Sequence, residues 1–187
     1  MRPARTPLEC LASDSVPAAV RSQLARDRCV LGLARADLDG DGRADYVVVL
    51  EQVDTTTRLP VDAERAREVA VLVADAQGAL RLAAHSARGT WCANCGGMMG
   101  DPFVNVSARR GRFTINHYGG SASRWGSDFT FAWVPRRRTW QLVRVEETTF
   151  HASDPDGSMK RRVRAAGRGL APIDLARFDI ERWNAGR

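Results

Sequence analysis

The sequence lacks several features that would point directly to a function class. It has no run of about 18 apolar residues, the length that crosses a bilayer as a helix. It has no motif of a nucleotide-binding loop, a dinucleotide fold, a serine-hydrolase elbow or a zinc protease. Lysine is almost absent, because only Lys160 among the 28 basic residues is not an arginine. With no catalytic motif in view, we expect a binding protein and not an enzyme.

The composition that is present is typical of one folded domain. The chain has 187 residues, of which 44% are apolar, and this is enough for a sizeable core. The net charge is +6, and arginines cluster at 108–112, 135–139 and 160–164. Such clusters can bind anionic groups, but short basic runs are more often solvated turns, which we favour.

Four cysteines stand at positions 10, 29, 92 and 95. An even number is compatible with two disulfides and an oxidising compartment. Zinc binding needs two compact ligand pairs, whereas Cys10 and Cys29 are far apart in sequence. A redox-active CxxC usually opens a helix, which the Gly-rich "WCANCGGMMGDPF" does not favour. We predict the bonds Cys10–Cys29 and Cys92–Cys95; four reduced, partly buried thiols are the alternative.

Apolar alternation predicts a mainly β protein: an antiparallel meander packed as a sandwich or partial propeller, with a short N-terminal helix over 15–27. We divide the chain into an N-terminal segment, 1–28, and a single β domain, 29–187. The Gly-rich residues 119–127 are predicted as a loop. The predicted strands are 29–36, 46–53, 67–75, 79–87, 103–108, 112–118, 128–134, 139–150 and 159–166. The tail residues predicted to pack on the domain are Leu170, Ile173, Leu175, Phe178 and Ile180.

The stretch "ADLDGDGRADYVVVLE" is the strongest motif. Asp37, Asp39, Asp41 and Asp45 occupy positions 1, 3, 5 and 9 of a loop, and the backbone carbonyl of Arg43 stands at position 7. Alternate side chains that converge on one centre suit Ca²⁺, which takes about six to eight oxygen ligands. The Glu expected at position 12 of an EF-hand is absent, so the pattern predicts a strand–loop–strand calcium site. The alternative is an Asp/Gly-rich turn without metal.

The stretch "HYGGSASRWGS" is the main candidate for partner binding. Tyr, Trp and Arg are enriched in binding hot spots, and loops on rigid β scaffolds often carry function. Alternatively, Tyr118 and Trp125 pack into the edge of the core. A second candidate is "CANCGGMMGDPF", where Met98 and Met99 are either adaptable contacts or core filler. A catalytic triad of Ser121, His117 and an Asp lacks any motif context, and a structural His is preferred. The predicted partner-binding residues are Tyr118, Gly119, Gly120, Ser121, Arg124 and Trp125.

In their order, "DLDGDGRADYVVVLE", "CANCGGMMGDPF", "FTINHYGGSASRW" and "TFAWV" resemble a group of secreted or periplasmic bacterial proteins with one calcium loop of the integrin FG-GAP type. Over residues 28–183 the chain is similar to lipoprotein immunity proteins of antibacterial type IV secretion systems. The resemblance implies a fold like that of periplasmic lysozyme inhibitors and inhibition of a lysozyme-like peptidoglycan hydrolase. It also implies a loop that enters the hydrolase cleft, here with Tyr118 and Ser121.

The resemblance implies a periplasmic location and a possible membrane anchor. The residues before Cys10 are not the small ones expected before a lipidated cysteine, so an anchor would lie further upstream or be missing. A +6 inhibitor is repelled by basic lysozymes, so its target should be neutral or acidic. The alternative function is an envelope module that binds an anionic polymer through the arginine clusters, with an affinity that falls steeply with salt.

Overall fold

The computed structural model describes residues 10–185 and is mainly β, as the sequence predicts. The helices are α1 (Ala18–Arg21), α2 (Pro155–Ser158) and α3 (Ile180–Ala185), and the strands are β1 (Arg28–Ala36), β2 (Asp45–Gln52), β3 (Arg67–Ala74), β4 (Leu80–Thr90), β5 (Phe103–Arg109), β6 (Arg112–Gly120), β7 (Ser123–Val134), β8 (Thr139–His151), β9 (Lys160–Ala166) and β10 (Gly169–Leu170). Within the described residues, no helix has the length and apolar character to cross a membrane.

The first sheet has four antiparallel strands in the order β1-β2-β3-β4. Its strands β2 and β3 are apolar on both faces, so both faces are buried. Val47 and Val49 face the second sheet, whereas Val48 and Leu50 face α1, whose Val20 is fully buried. The N-terminal segment therefore completes the core of this sheet.

The predicted N-terminal helix is shorter than expected. Only Ala18–Arg21 form α1, and the residues that follow make turns into β1. The predicted disulfide Cys10–Cys29 is present and ties the start of this segment to β1. The path of the N-terminal segment is therefore determined by the packing of Val20 and by this disulfide, and not by local helix propensity.

The second sheet has six strands in the order β10-β9-β8-β7-β6-β5, all antiparallel except the short β10, which runs parallel to β9. Aromatic side chains dominate its inner face, where Phe113 and Phe131 stack with ring centroids 5.2 Å apart. They pack against the valines of β2 and β3, so the two sheets form a sandwich. The predicted tail contacts are confirmed: Leu170, Leu175, Phe178 and Ile180 are buried in this core, and Ile173 packs against it.

The predicted loop over 119–127 is wrong. Strands β6 and β7 remain paired up to Gly120 and Arg124, so only two residues lie between the strands. The glycines here allow close packing: a Cβ on Gly119 would lie 2.7 Å from the Trp125 ring and 3.0 Å from the Cα of Gly96. The glycine-rich composition predicted a flexible loop. In the structure, the glycines instead allow a tight hairpin to pack closely against a neighbouring backbone.

The two sequence motifs lie at opposite ends of the second sheet. The loop that carries the four aspartates, residues 37–45, is called the Asp loop; it contacts the β5–β6 turn, where the N–H of Gly111 donates to the carbonyl of Asp37 at 2.8 Å. The β6–β7 turn, residues 121–122, lies at the other end of β6. The nine residues of this strand give it a length of roughly 27 Å. The connection between β8 and β9 lies beside that turn, because Ala152 N–H donates to the carbonyl of Ala122 at 2.8 Å. We call this second end the hairpin end.

Candidate functional site

Three carboxylates of the Asp loop converge. Oxygens of Asp37, Asp39 and Asp45 all lie within 4.8 Å of one another. Asp45 is fully buried, and its two oxygens accept hydrogen bonds from the backbone N–H groups of Leu38 (2.8 Å) and Ala74 (3.0 Å). These bonds fix one carboxylate between the loop and the end of β3, while carboxylate lone pairs remain for a cation.

Asp41 does not join this group, contrary to the expected convergence of four carboxylates. Its side chain forms an ion pair with Arg43 and also accepts the Arg43 backbone N–H at 2.8 Å. The Nε of Arg43 donates to the carbonyl of Ala74 at 3.0 Å, which ties the loop to β3. The guanidinium neutralises Asp41 and holds it away from the other three carboxylates.

The electrostatics of the loop favour a bound cation. Burial raises the pKa of the Asp39 carboxyl above its usual value, and the charges of Asp45, Asp41 and Asp37 raise it further, while the backbone N–H of Asp41 opposes the shift. Like charges held this closely cost free energy unless a positive charge lies among them. An all-oxygen donor set is the kind that a hard cation such as Ca²⁺ prefers.

The two candidate binding segments, which are separate in sequence, lie side by side at the hairpin end. Residues 96–102 follow the edge of β6 beyond the start of β5 and continue its hydrogen bonding. The N–H of Gly120 donates to the carbonyl of Gly96 at 2.8 Å, and the N–H of Tyr118 donates to that of Pro102 at 2.9 Å. The second predicted disulfide, Cys92–Cys95, is present and lies immediately before this segment.

The side chains presented at this end differ from those expected. Met98 is 80% exposed and Met99 45% exposed, and Ser121 at the turn is exposed as well. Tyr118 is half-buried and stacks on Phe150, with ring centroids 6.4 Å apart. The methionines are therefore the most accessible apolar groups here, and they belong to the second candidate stretch.

The other predicted binding residues do not share one exposed surface. Strand alternation directs Tyr118 and Arg124 to the outer face of the second sheet and Trp125 to its inner face. Trp125 packs edge-on against Trp91 at 6.1 Å, and Gly119 is buried. The alternative considered above, in which Tyr118 and Trp125 both pack into the edge of the core, agrees with the position of Trp125, whereas Tyr118 lies on the outer face.

A buried arginine holds the segment in place. Arg67, at the start of β3, has a fully buried side chain whose Nε donates to Glu51 at 2.6 Å. Its two terminal nitrogens donate to the carboxylate of Asp101 at 2.7 and 2.5 Å, a bidentate pair. The sequence analysis identified neither Arg67 nor Asp101. Arg67 is the first residue of a strand, a position where an arginine is usually exposed to solvent. Asp101 is an isolated acidic residue before "PF" and belongs to no recognisable motif.

His117 is a structural residue on β6. It is only 3% exposed, its Nδ1–H donates to the carbonyl of Ser127 at 3.2 Å, and its Nε2 accepts from the hydroxyl of Thr90 at 2.5 Å. Ser121 lies at the exposed turn, so no catalytic pair forms between these two residues. The preference for a structural histidine agrees with this position.

Stability should fall with acid through His117. Burial lowers the pKa of its imidazole to about 4, helped by the charge of Arg67 and opposed by Ser127 and Asp101. A depressed pKa leaves the unfolded state binding more protons, so this contribution is complete above about pH 6.5 and is lost as the pH falls towards 4. Urea unfolding across this window measures the loss.

The matched variant is His117→Gln, which keeps hydrogen-bonding groups but does not titrate. Its free energy of unfolding should fall less steeply between about pH 6.5 and 4.5 than that of the wild type. Glu146, whose pKa its bonds to Arg161 and Arg144 lower to about 2, contributes mainly below this window. Equal pH slopes for the two proteins would contradict the assignment.

The residues of the three arginine clusters lie largely in turns or form ion pairs. The first two clusters lie at the β5–β6 and β7–β8 turns, in agreement with the solvated-turn interpretation. The third forms β9, where Arg161 pairs with Glu146 and Arg164 with Glu147 at 3.0 Å. Arg164 also lies over the ring of Trp183, 4.3 Å from its centroid. These contacts reduce the positive charge that β9 offers to a polyanion.

Comparison with known proteins gives one distant structural likeness. No protein-family model matches the chain, and no curated protein is significantly similar to it in sequence. A solved protein described as a Xanthomonas type IV secretion system related protein is similar at 18% sequence identity and a TM-score of 0.41, over 76% of this chain. The match covers 57% of that protein, so this chain spans little more than half its length. A TM-score this low carries no inference about function.

Proposed function

We propose that this protein is a periplasmic immunity protein that binds and inhibits a lysozyme-like peptidoglycan hydrolase, an effector of an antibacterial secretion system. The observation that supports the proposal is the construction of the hairpin end. There the 121–122 turn and the 96–100 segment lie side by side and project Ser121 and Met98 into solvent. The resemblance of "HYGGS" to the inserting loop of lysozyme inhibitors supports the same surface.

A rigid projection suits a hydrolase cleft. Such a cleft is concave because it holds an extended glycan, so an inhibitor must offer a convex element that enters it. The bidentate Arg67–Asp101 pair and the Cys92–Cys95 bond hold the 96–100 segment before it meets a partner. Prior order reduces the entropy lost on binding, which favours affinity.

Charge and compartment agree with this proposal. Two disulfides suit an oxidising compartment such as the periplasm. A net charge of +6 favours an acidic or neutral target, and therefore a dedicated effector over a basic lysozyme. In this proposal Ca²⁺ is held by Asp37, Asp39 and Asp45 and is structural, because the Asp loop lies at the opposite end from the hairpin end.

Met98→Asp should weaken inhibition by roughly tenfold or more, because it places a charge at the centre of an apolar contact. The target to test is a lysozyme-like hydrolase encoded beside this gene, and the assay is clearing of a peptidoglycan suspension at increasing inhibitor concentration. Tyr118→Ala should act in the same direction but less strongly, because that side chain is half-buried.

The matched control is Leu82→Asp, since Leu82 is 55% exposed on β4 of the other sheet. This variant should inhibit like the wild type. If Met98→Asp and Tyr118→Ala both retain full affinity and inhibition, the hairpin end is not the contact surface. If the wild type forms no complex with the neighbouring hydrolase, the proposed target is wrong.

A further inference from the structure

The outer face of the second sheet carries two aromatic rings on a polar surface. Strand alternation places Tyr118 and Phe150 on the face that points away from the first sheet. Their rings are nearly parallel, with an interplanar angle of 27°. Opposite Tyr118 in the register stands Gly126, where an added Cβ would meet only the carbonyl of His117, at 3.5 Å. The glycine therefore leaves a shallow furrow beside the rings.

Polar side chains on the same face are held in fixed orientations. Asn116 donates to Asp128 at 2.7 Å, and the hydroxyls of Thr114 and Thr130 lie 2.9 Å apart. Among residues 10–185, neither Asn116 nor Asp128 has another side-chain partner. The amide oxygen, the second amide N–H and one carboxylate oxygen thus remain for an external donor or acceptor.

The same face also contains a cation without a counter-ion. Arg124 pairs with Phe150 across the β7–β8 register and is half-buried. Its guanidinium makes no hydrogen bond or ion pair with any residue in the described part of the chain, and one of its terminal nitrogens is shielded from solvent. Two other arginines of this face, Arg144 and Arg161, both pair with Glu146. Partial desolvation of an unpaired charge is costly, and a bound anion would offset that cost.

We propose that this face binds a glycan whose sugars carry carboxylates. A pyranose ring has an apolar face of C–H groups, which suits Tyr118 and Phe150, and a rim of hydroxyls, which suits Asn116 and Asp128. The carboxylate of one sugar would pair with Arg124. This site adjoins the proposed contact with the hydrolase at Met98 and Ser121 and shares Tyr118 with it, whereas Asn116, Arg124, Asp128 and Phe150 belong to the glycan site alone.

Other polymers fit this face less well. Asp128, which makes no ion pair with a described residue, places a negative charge beside the furrow and would repel the closely spaced phosphates of a nucleic acid, whereas Glu146 is already paired with Arg144 and Arg161. A peptide that adds a strand needs a free sheet edge, whereas β6, β7 and β8 are each paired on both sides. A polymer with one carboxylate every second sugar can pair with Arg124 without bringing a second negative charge close to Asp128.

Two saccharides that differ in that carboxylate test the proposal. The first is a soluble tetrasaccharide of alternating N-acetylglucosamine and N-acetylmuramic acid, and the second is chitotetraose, which lacks the lactyl carboxylate. By calorimetric titration, the wild type should bind the first roughly tenfold more tightly than the second. Arg124→Gln should remove this preference, and Phe150→Ala should weaken binding of both saccharides by about tenfold.

Leu82→Ala on the other sheet is the control and should bind like the wild type, and melting curves show whether each variant is folded. Asn116→Ala should lose saccharide affinity while it still inhibits the hydrolase, which separates the two surfaces. The proposal is overturned if the wild type shows no saturable binding of either saccharide, or if a folded Phe150→Ala binds both unchanged. A preference that persists in Arg124→Gln overturns the role of Arg124.

Discussion

Replacing Arg67 with Met should lower the free energy of unfolding by about 3–5 kcal/mol, because it leaves a buried carboxylate without its partner. Glu51 is only 4% exposed, and its carboxylate accepts the Arg67 Nε at 2.6 Å. Burial raises the pKa of Glu51, and the hydrogen bond and charge of Arg67 oppose that shift. Without the guanidinium, the folded state must keep a charge in the core or take up a proton. Urea unfolding near neutral pH measures the loss.

The matched control is Arg144→Met, which removes an arginine from an ion pair with Glu146 at the surface. The Arg144 side chain is 46% exposed, so this change should cost no more than about 1 kcal/mol. In the double variant Glu51→Gln, Arg67→Met, the buried charge is gone, and part of the lost stability should return. If Arg67→Met costs no more than Arg144→Met, the buried network does not stabilise the fold.

The same variant links stability to the proposed function. Without Arg67, Asp101 loses both hydrogen bonds that hold the end of the 96–102 segment, although it is partly exposed and stays hydrated. We therefore expect faster amide hydrogen exchange at Gly120, whose N–H donates to the carbonyl of Gly96, and at Gly96, whose N–H donates to the carbonyl of Gly100. Inhibition should weaken in parallel, because a mobile segment loses more entropy on binding.

Removing Ca²⁺ should lower the melting temperature by about 5–10 °C, because a ligand bound only by the folded state stabilises it by about 2.7 kcal/mol at a concentration 100-fold above its dissociation constant. The physical reason is the convergence of Asp37, Asp39 and Asp45, whose mutual repulsion a cation relieves. The measurement compares melting in excess chelator with melting in excess Ca²⁺. Mg²⁺ should substitute poorly, because it requires a stricter octahedral shell and dehydrates reluctantly.

Two substitutions in the loop separate calcium binding from repulsion alone. Asp39→Asn removes a ligand and also one of the repelling charges, so it should abolish the shift with Ca²⁺ without lowering the melting temperature in chelator. Asp41→Asn is the matched control and should retain the shift, because Asp41 pairs with Arg43 and stands outside the group. Identical melting curves in chelator and Ca²⁺, with no metal in the purified protein, would contradict the proposed site.

Much of the fold follows from local patterns. Alternation of apolar and polar residues located most of the strands, and short polar turns correctly predicted antiparallel neighbours. Cysteine number and spacing led to the two disulfide pairs that the structure contains. The aspartate spacing predicted four carboxylates around one point, and three of them are found there. These features depend on residues close in sequence or on simple periodicity, and such signals can be recognised from the sequence without a structure.

The composition of the β6–β7 region misled the prediction because glycine has two structural uses. It permits flexible loops, but it also permits the close approach of two backbones, and Gly119 and Gly96 meet in this second way. Which use applies depends on what lies next to the glycine in space. No feature of "HYGGSASRWGS" indicates that residues 96–102 run beside it.

The sequence by itself determined the β class, the strand order along the chain, the disulfide partners and the cluster of aspartates. Only the tertiary structure decided that Arg67 is buried between Glu51 and Asp101, that Asp41 is drawn away by Arg43, and that the Asp loop and the hairpin end lie at opposite ends of one sheet. The physical reason is that charge pairing and close backbone contact depend on distances between residues far apart in sequence. Those distances are set by the packing of the two sheets, to which all parts of the chain contribute.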